Sequence, residues 1–400
     1  MGKDNTTIPA VPREDTAEVT LGVDGALRLL FGRASIGNQG PADELDQRYE
    51  FSGSLGRGGM GVVTEVKDRR LQRSVAMKTL AIDAAAGDHV HRFVLEAQVT
   101  SQLDHPNIPP VHDLGVGPDG SLYFTMKRVT GVTLSRMLKE QSPSLVRRLD
   151  IFLKVCDAVA YAHSQGVLHR DLKPSNVMLG EFREVWVLDW GLAKVVGTDD
   201  SSPSPSISGD GPTDSSLTRA GSVMGTPAFM SPEQARGDHH LVDERSDVYM
   251  LGTMLYYMLV GTAPFRGKGG EVLTAVRAGD FVAPRRAASD VPWELDAVVR
   301  RAMSTEPADR YADVESLRED VQAFLEGRPL ASVRYSMAHR LSKWASRHRR
   351  VVVPSVLVAA AGALVAIAVL TLYVANVAVA RDRALEAERQ AGLALADNYV

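Results

Sequence analysis

His169–Asn176 reads HRDLKPSN, and close behind it Val185–Lys194 reads VWVLDWGLAK. Asp171 can accept a proton from a hydroxyl, and Lys173 places an ammonium close to it. Asn176 and Asp189 offer the hard oxygen ligands that magnesium prefers. Phosphoryl transfer asks a protein for an in-line nucleophile, metal across the phosphates and positive charge against the developing negative charge, and each need has a candidate here.

Working outward toward the N-terminus, residues 55–63 read LGRGGMGVV, with glycines at Gly56, Gly58 and Gly61. Glycines at this spacing let backbone amides approach a phosphate, but the spacing alone is shared by unrelated folds. A P-loop needs Lys followed by Ser or Thr directly after its last glycine, and here Gly61 precedes Val62, Val63 and Thr64. A dinucleotide-binding turn needs that glycine to open a helix, and GVVTEVKDRR instead alternates like a strand rich in β-branched residues. The stretch therefore predicts strand–loop–strand. The next apolar run, SVAMK, ends in Lys78.

From Tyr49 to about Gln102 the pattern is strand-rich, with one amphipathic helix, DHVHRFVLEAQVTSQL, around Glu96. LYFTMKRVTG reads as a further strand leading into a polar linker. After it SLVRRLDIFLKVCDAVAYAHSQG, RSDVYMLGTMLYYMLVG and VESLREDVQAFLEG all follow a helical period. A β-rich lobe thus precedes a helical lobe, and ligands favour the crevice between such lobes. Residues 1–45 are polar with scattered Pro and Gly and are expected to be disordered. GTDDSSPSPSISGDGPTDSSLT, ending at Thr218, has too little apolar surface to offset its ordering entropy and is expected to be a mobile loop.

Composition excludes little. With 45 basic and 49 acidic residues in 400, the net charge of −4 gives no reason to expect nucleic acid as a partner. The single cysteine, Cys156, lies on an apolar helical face, which predicts a packed thiol and a reducing compartment. MGKDNTTIPAVPRED lacks the charged-then-apolar pattern of a secretory leader. His239 and His240 have no metal-like partners nearby in sequence and are expected to be solvated.

Residues 351–380 contain no charge. As a helix they would extend about 45 Å, against the roughly 30 Å of a hydrocarbon core, which predicts a membrane span. Arg334, Arg340, Lys343, Arg347, Arg349 and Arg350 precede the run without an acidic residue, whereas Arg381, Arg383 and Arg389 follow it among Asp382, Glu386 and Glu388. That asymmetry places the N-terminal region in the cytoplasm, where ATP is. The basic segment 331–350 could also lean on anionic inner-membrane lipid, and 381–400 is helix-prone but too short for a core of its own.

Taken in order and spacing, these motifs make the chain similar to the eukaryotic-type serine/threonine protein kinases, of the bacterial membrane-anchored, receptor-like branch. The likeness covers about Tyr49 to Gly327. It implies an α+β, two-lobed kinase fold over 46–330, with a small β-rich N-lobe at about 46–128 and a larger helical C-lobe at about 129–330, then a single transmembrane helix. It implies transfer of the γ-phosphate of ATP to Ser or Thr hydroxyls of proteins with Mg²⁺ or Mn²⁺, a role in signal transduction, and a kinase homodimer among the partners. ATP would lie against Leu55, Gly56, Arg57, Gly58, Gly59, Gly61, Val63 and Ala76. Met126 resembles the gatekeeper, and the backbones of Lys127 and Val129 would face adenine.

By the same likeness Lys78 holds the α/β-phosphates and pairs with Glu96, for which Gln98 and Glu65 are poor competitors. Asp171 is the base, Lys173 steadies the phosphoryl group, and Asn176 and Asp189 hold metal. LKPSN and GTPAFMSPE resemble the Ser/Thr-specific branch, Thr226 bonding to the catalytic aspartate and lysine. Glu233 would pair with Arg310, Asp247 would brace the catalytic loop, and His169 would be scaffold. Two departures stand out: the usual D-F-G reads DWG, with Trp190, and A-P-E reads SPE. Because Arg170 adjoins Asp171, the likeness also implies activation-loop phosphorylation, at Thr218 first and Ser222 second. A pseudokinase that only binds nucleotide and a membrane scaffold with a docking lobe are the alternatives.

Overall fold

Period-two alternation along the N-terminal strands decides which side chains reach the cleft. The computed structural model describes residues 47–58, 61–80, 87–117, 119–190, 194–195, 227–333, 335 and 349–397. Strands β1 (Tyr49–Gly58), β2 (Gly61–Asp68), β3 (Arg73–Leu80), β4 (Val111–Val116) and β5 (Leu122–Lys127) form an antiparallel sheet in the order β1-β2-β3-β5-β4. Val75 and Met77 of β3 turn to one face, where they meet Tyr49, Val66 and Tyr123. Leu80 turns to the other, and Lys78, two residues before it, shares that side.

That second face is covered by helix α1 (Gly87–Ser101). Val90, Phe93, Val94 and Ala97 recur at helical spacing and pack on Leu80, Leu122 and Phe124. Glu96 lies at the margin of this stripe and is 5% exposed, so the apolar face that holds the helix also fixes a carboxylate beside the sheet.

The second lobe is helical. Helices α2 (Leu134–Glu140), α3 (Leu145–Ser164), α4 (Pro232–Arg236), α5 (Glu244–Val260), α6 (Gly270–Ala278), α7 (Pro284–Ala287), α8 (Trp293–Ala302) and α9 (Val314–Leu325) follow in order. Helix α5 is buried on nearly every side, from Ser246 to Leu259, so it is the central element on which α3, α8 and α9 pack. It begins at Asp243, whose carboxylate accepts from the Arg245 N–H, and ends at Gly261 in the left-handed conformation. Short strands β6 (Val132–Thr133), β7 (Val167–Leu168), β8 (Val177–Leu179), β9 (Val185–Val187) and β10 (Lys194–Val195) form a three-stranded sheet, β6-β8-β9, and a β7-β10 pair. The loop 169–176 is thus held at both ends by strands, and Asp189 follows β9 with only Leu188 between.

The described residues through Leu325, with Leu330–Val333, form one compact unit. Asp320 of α9 secures the returning strand of chain, accepting from Ala331 N–H at 2.7 Å and from Tyr311 Oη at 2.9 Å. The second unit carries α10 (Arg349–Asp397), a continuous helix of 49 residues. It is longer than the uncharged run that marks it in sequence, and at 1.5 Å per residue it reaches about 73 Å. Its segment Val353–Arg389 is long and apolar enough to cross a membrane. The expected disorder of 1–45 and the expected mobile loop before Thr218 lie outside the described residues.

Candidate active site

A cavity of about 1230 Å³ is lined by both lobes of the first unit. Its roof comes from Leu55, Gly56, Arg57, Gly61 and Val63, with Ala76 and Lys78 behind, Met126, Lys127 and Val129 along the strand edge, and Asp171, Lys173, Asn176 and Asp189 below. A Cβ at Gly61 would collide with the Thr79 carbonyl, so the close approach of β3 to β2 requires that glycine. At Gly56 a Cβ would meet no protein atom within 4 Å, so packing makes no such demand there. Gly58 pairs with Gly61 at the hairpin end, and Gly59 lies outside the described residues.

Lys78 reaches across this cavity. Its Nζ lies 2.5 Å from Glu96 Oε1 and 3.5 Å from Asp189 Oδ1. Burial by itself would lower the Lys78 pKa, but the facing carboxylates, Glu96 first, outweigh it and hold the ammonium above its ordinary range. The other candidates for this partnership are engaged elsewhere or turned outward: Glu65 pairs with Arg128 at 3.1 Å, and Gln98 is exposed.

Below, Asp171 Oδ2 is 2.6 Å from Lys173 Nζ and 3.2 Å from Asn176 Nδ2. Asn176 Nδ2 also donates to the Asp171 carbonyl at 2.9 Å. Both bonds use the amide nitrogen, which leaves Oδ1 as the atom Asn176 can offer a cation. Asp189, whose side chain is half exposed, adopts φ +66°. Arg170 is likewise left-handed, at φ +65°. Non-glycine residues take this conformation at a cost of about 1 kcal/mol or more and keep it only where neighbours enforce it.

The enforcing contacts are buried. Asp247 of α5 accepts from the backbone N–H of His169 at 2.8 Å and of Arg170 at 2.9 Å, and meets His163 Nε2 of α3 at 2.7 Å. Burial tends to raise the Asp247 pKa, but His163 and the amides outweigh it and keep the carboxyl below its ordinary range. Asp247 in turn holds His163 above the ordinary imidazole value against the opposing effect of burial. His169, fully buried, accepts the Asp171 N–H at Nδ1, which leaves its Nε2–H to donate to the Leu188 carbonyl at 3.2 Å. Trp190 packs against it with ring centroids 4.5 Å apart and planes tilted by 50°, is 2% exposed, and donates its indole N–H to the Val187 carbonyl at 3.3 Å. The larger residue in the DWG motif is thus accommodated with its one polar atom satisfied.

Glu233 and Arg310 form a fully buried bidentate pair, each oxygen 2.8 Å from a guanidinium nitrogen. Cys156 is a buried thiol, its pKa pushed well up by burial. His240 is exposed. Thr218, Ser222 and Thr226 lie outside the described residues.

Several residues in the cavity have no sequence signal of their own. Met178 and Leu188 line it from the lower lobe, and Phe229 and Tyr257, with ring centroids 6.0 Å apart, line its outer end. Each reads in sequence as an ordinary core residue. Leu188 adjoins Asp189, and Met178 follows Asn176 by two positions.

A family model of the protein kinase domain matches residues 49–325. Serine/threonine-protein kinase PknB of Mycolicibacterium smegmatis is 38% identical over 289 residues, covering 71% of this chain and 44% of that protein. Serine/threonine-protein kinase PknD of Chlamydia pneumoniae is 36% identical over 300 residues, covering 71% of this chain and 32% of that protein. PknD of Chlamydia trachomatis serovar D is 35% identical over 322 residues, covering 74% and 34%. The chain spans less than half the length of these curated relatives. With its matched region extending over more than half of its residues, the chain belongs to the protein kinase domain family.

Proposed function

We propose that the chain is an ATP-dependent serine/threonine protein kinase, its catalytic domain at 46–330 facing the cytoplasm and anchored by a span within α10. The observation that carries this reading is the convergence of Lys78, Asp171, Asn176 and Asp189 on one cavity, at distances of 3.5 Å between Lys78 and Asp189 and 3.2 Å between Asp171 and Asn176. Lys78, held charged by Glu96, binds the α/β-phosphates. The strand residues Leu55, Val63, Ala76 and Met126 enclose the base, with the backbones of Lys127 and Val129 at its edge. Asp171 takes the proton of a substrate Ser or Thr hydroxyl as its oxygen bonds to the γ-phosphorus and the bond to the bridging oxygen of ADP breaks. Lys173, beside Asp171, steadies the transferred group.

A divalent cation fits the donor set, since Asn176 Oδ1 and an Asp189 carboxylate are hard oxygens of the kind magnesium takes beside phosphate, and its contribution when bound is neutralisation of phosphate charge. The six-to-three asymmetry of basic residues around the uncharged run supports the orientation. Arg170 standing next to Asp171 supports a need for activation-loop phosphate, and autophosphorylation at Thr218, with Ser222 second, is the source that the likeness to the membrane-anchored branch implies.

The test incubates the full chain in detergent with γ-labelled ATP, Mg²⁺ and a Ser/Thr-rich protein, followed by phosphoamino-acid analysis and site mapping. Label on phosphoserine and phosphothreonine of the added protein, and on Thr218, is expected. Nucleotide binding without transfer under either Mg²⁺ or Mn²⁺ would show a nucleotide-binding pseudokinase instead.

A further inference from the structure

The peptide joining Arg170 to Asp171 sits where the backbone is strained, and both of its polar atoms are held. Its N–H, that of Asp171, goes to His169 Nδ1 at 3.3 Å. Its carbonyl, that of Arg170, accepts from Gln234 Nε2 at 2.8 Å, a link between positions 64 residues apart. Asp247 of α5 holds the preceding N–H, so the stretch around Arg170 is tied to α5 by one group and to α4 by another.

Gln234 does two jobs with one amide. It is the third residue of α4, and its Oε1 accepts from the Ser231 N–H at 3.0 Å and lies 3.1 Å from Ser231 Oγ, closing a capping box. With the oxygen committed to the cap, the nitrogen is committed to Arg170. A capping box accepts Glu in this place as well as Gln, but a carboxylate has no N–H to give a carbonyl. Helix α4 is itself firmly placed, by the buried Glu233–Arg310 pair and by Arg277 Nε donating to the Ala235 carbonyl at 2.7 Å.

We propose that Gln234 is a positioning residue for phosphoryl transfer: its side-chain amide ties α4 to the Arg170–Asp171 peptide and thereby aims the Asp171 carboxylate. The inference rests on the reading of Asp171 as proton acceptor. Its substance is that the Nε2 donor, rather than the integrity of the α4 cap, sets the rate.

Three variants of the full chain separate these. Gln234→Glu keeps the cap and removes the donor, Gln234→Met removes both, and Ser231→Ala weakens the cap alone. Loss of the donor is expected to lower kcat about tenfold in both Gln234 variants with KM for ATP within about twofold of wild type, while Ser231→Ala stays within about twofold in both. Amide hydrogen exchange over residues 168–173 is expected to quicken in Gln234→Glu and not in Ser231→Ala. A wild-type kcat in Gln234→Glu, or equal losses in Gln234→Glu and Ser231→Ala, overturns the proposal. Should the wild-type chain transfer no phosphoryl group, the kinase reading itself fails, and exchange decides the clamp: unchanged exchange in Gln234→Glu overturns it, and faster exchange upholds it.

Discussion

Replacing Arg310 by Met removes the most completely buried cation among the described residues and strands its partners. Arg310 donates twice to Glu233 and once each to the carbonyls of Ser304, Thr305 and Arg245, at 2.8 to 3.0 Å, and its guanidinium stacks 4.9 Å from the Tyr249 ring centre. Met fills much of the volume, so the loss is electrostatic. Glu233 would keep the Ser246 hydroxyl as its hydrogen-bond donor. Breaking a buried pair on one side costs about 3–5 kcal/mol. For a domain of this size that corresponds to roughly 6–12 °C in Tm. Arg310 now keeps the Glu233 carboxyl below its ordinary range against the upward push of burial. In Arg310→Met that carboxyl can escape its penalty by taking a proton, so the deficit should shrink as pH falls toward the ordinary carboxylate value of 4.5. Adding Glu233→Gln should recover part of the loss at neutral pH, and the three carbonyls that lose the guanidinium should keep the recovery incomplete. Urea unfolding of the single and double variants at several pH values measures all of this. A loss under about 1 kcal/mol for Arg310→Met, or a double variant no more stable than the single, would refute the reasoning.

Two further outcomes follow from the same buried network. His163, raised above its ordinary 6.5 by Asp247, contributes stability that is complete below that value and is lost as pH rises through its folded pKa. Wild type should therefore weaken as pH rises above 6.5 more steeply than His163→Gln in urea midpoints, and parallel curves would contradict the charged pair. Trp190→Phe should cost about 1–3 kcal/mol, from the indole hydrogen bond to Val187 and the space left beside His169, and unchanged calorimetric stability would show that the pocket needs no Trp.

What was legible in the sequence was whatever chemistry restricts to few residue types. HRDLKPSN and DWG announce the cleft because the base, cation and two oxygen ligands proposed for it could not be exchanged for other side chains. The alternation of SVAMK likewise places Lys78 on the face that meets α1. Gln234 was invisible because its partner is a backbone carbonyl 64 positions away, and a carbonyl carries no sequence mark. His163 reads as the polar end of an amphipathic helix, and only packing of α3 on α5 brings it to Asp247, 84 positions on. The length of α10 exceeds the uncharged run because apolarity marks the uncharged stretch and not the end of the helix. RDRALEAERQ continues it with strong helix formers and no breaking proline.

The central claim is that Asp171 acts on a nucleotide already held by Lys78 and its neighbours. Single-turnover transfer from bound ATP, measured alongside ATP affinity in wild type and Asp171→Asn, tests it most directly. The account predicts affinity unchanged within about twofold and a transfer rate lower by a factor on the order of 10² to 10⁴. Transfer at the wild-type rate in Asp171→Asn would contradict it.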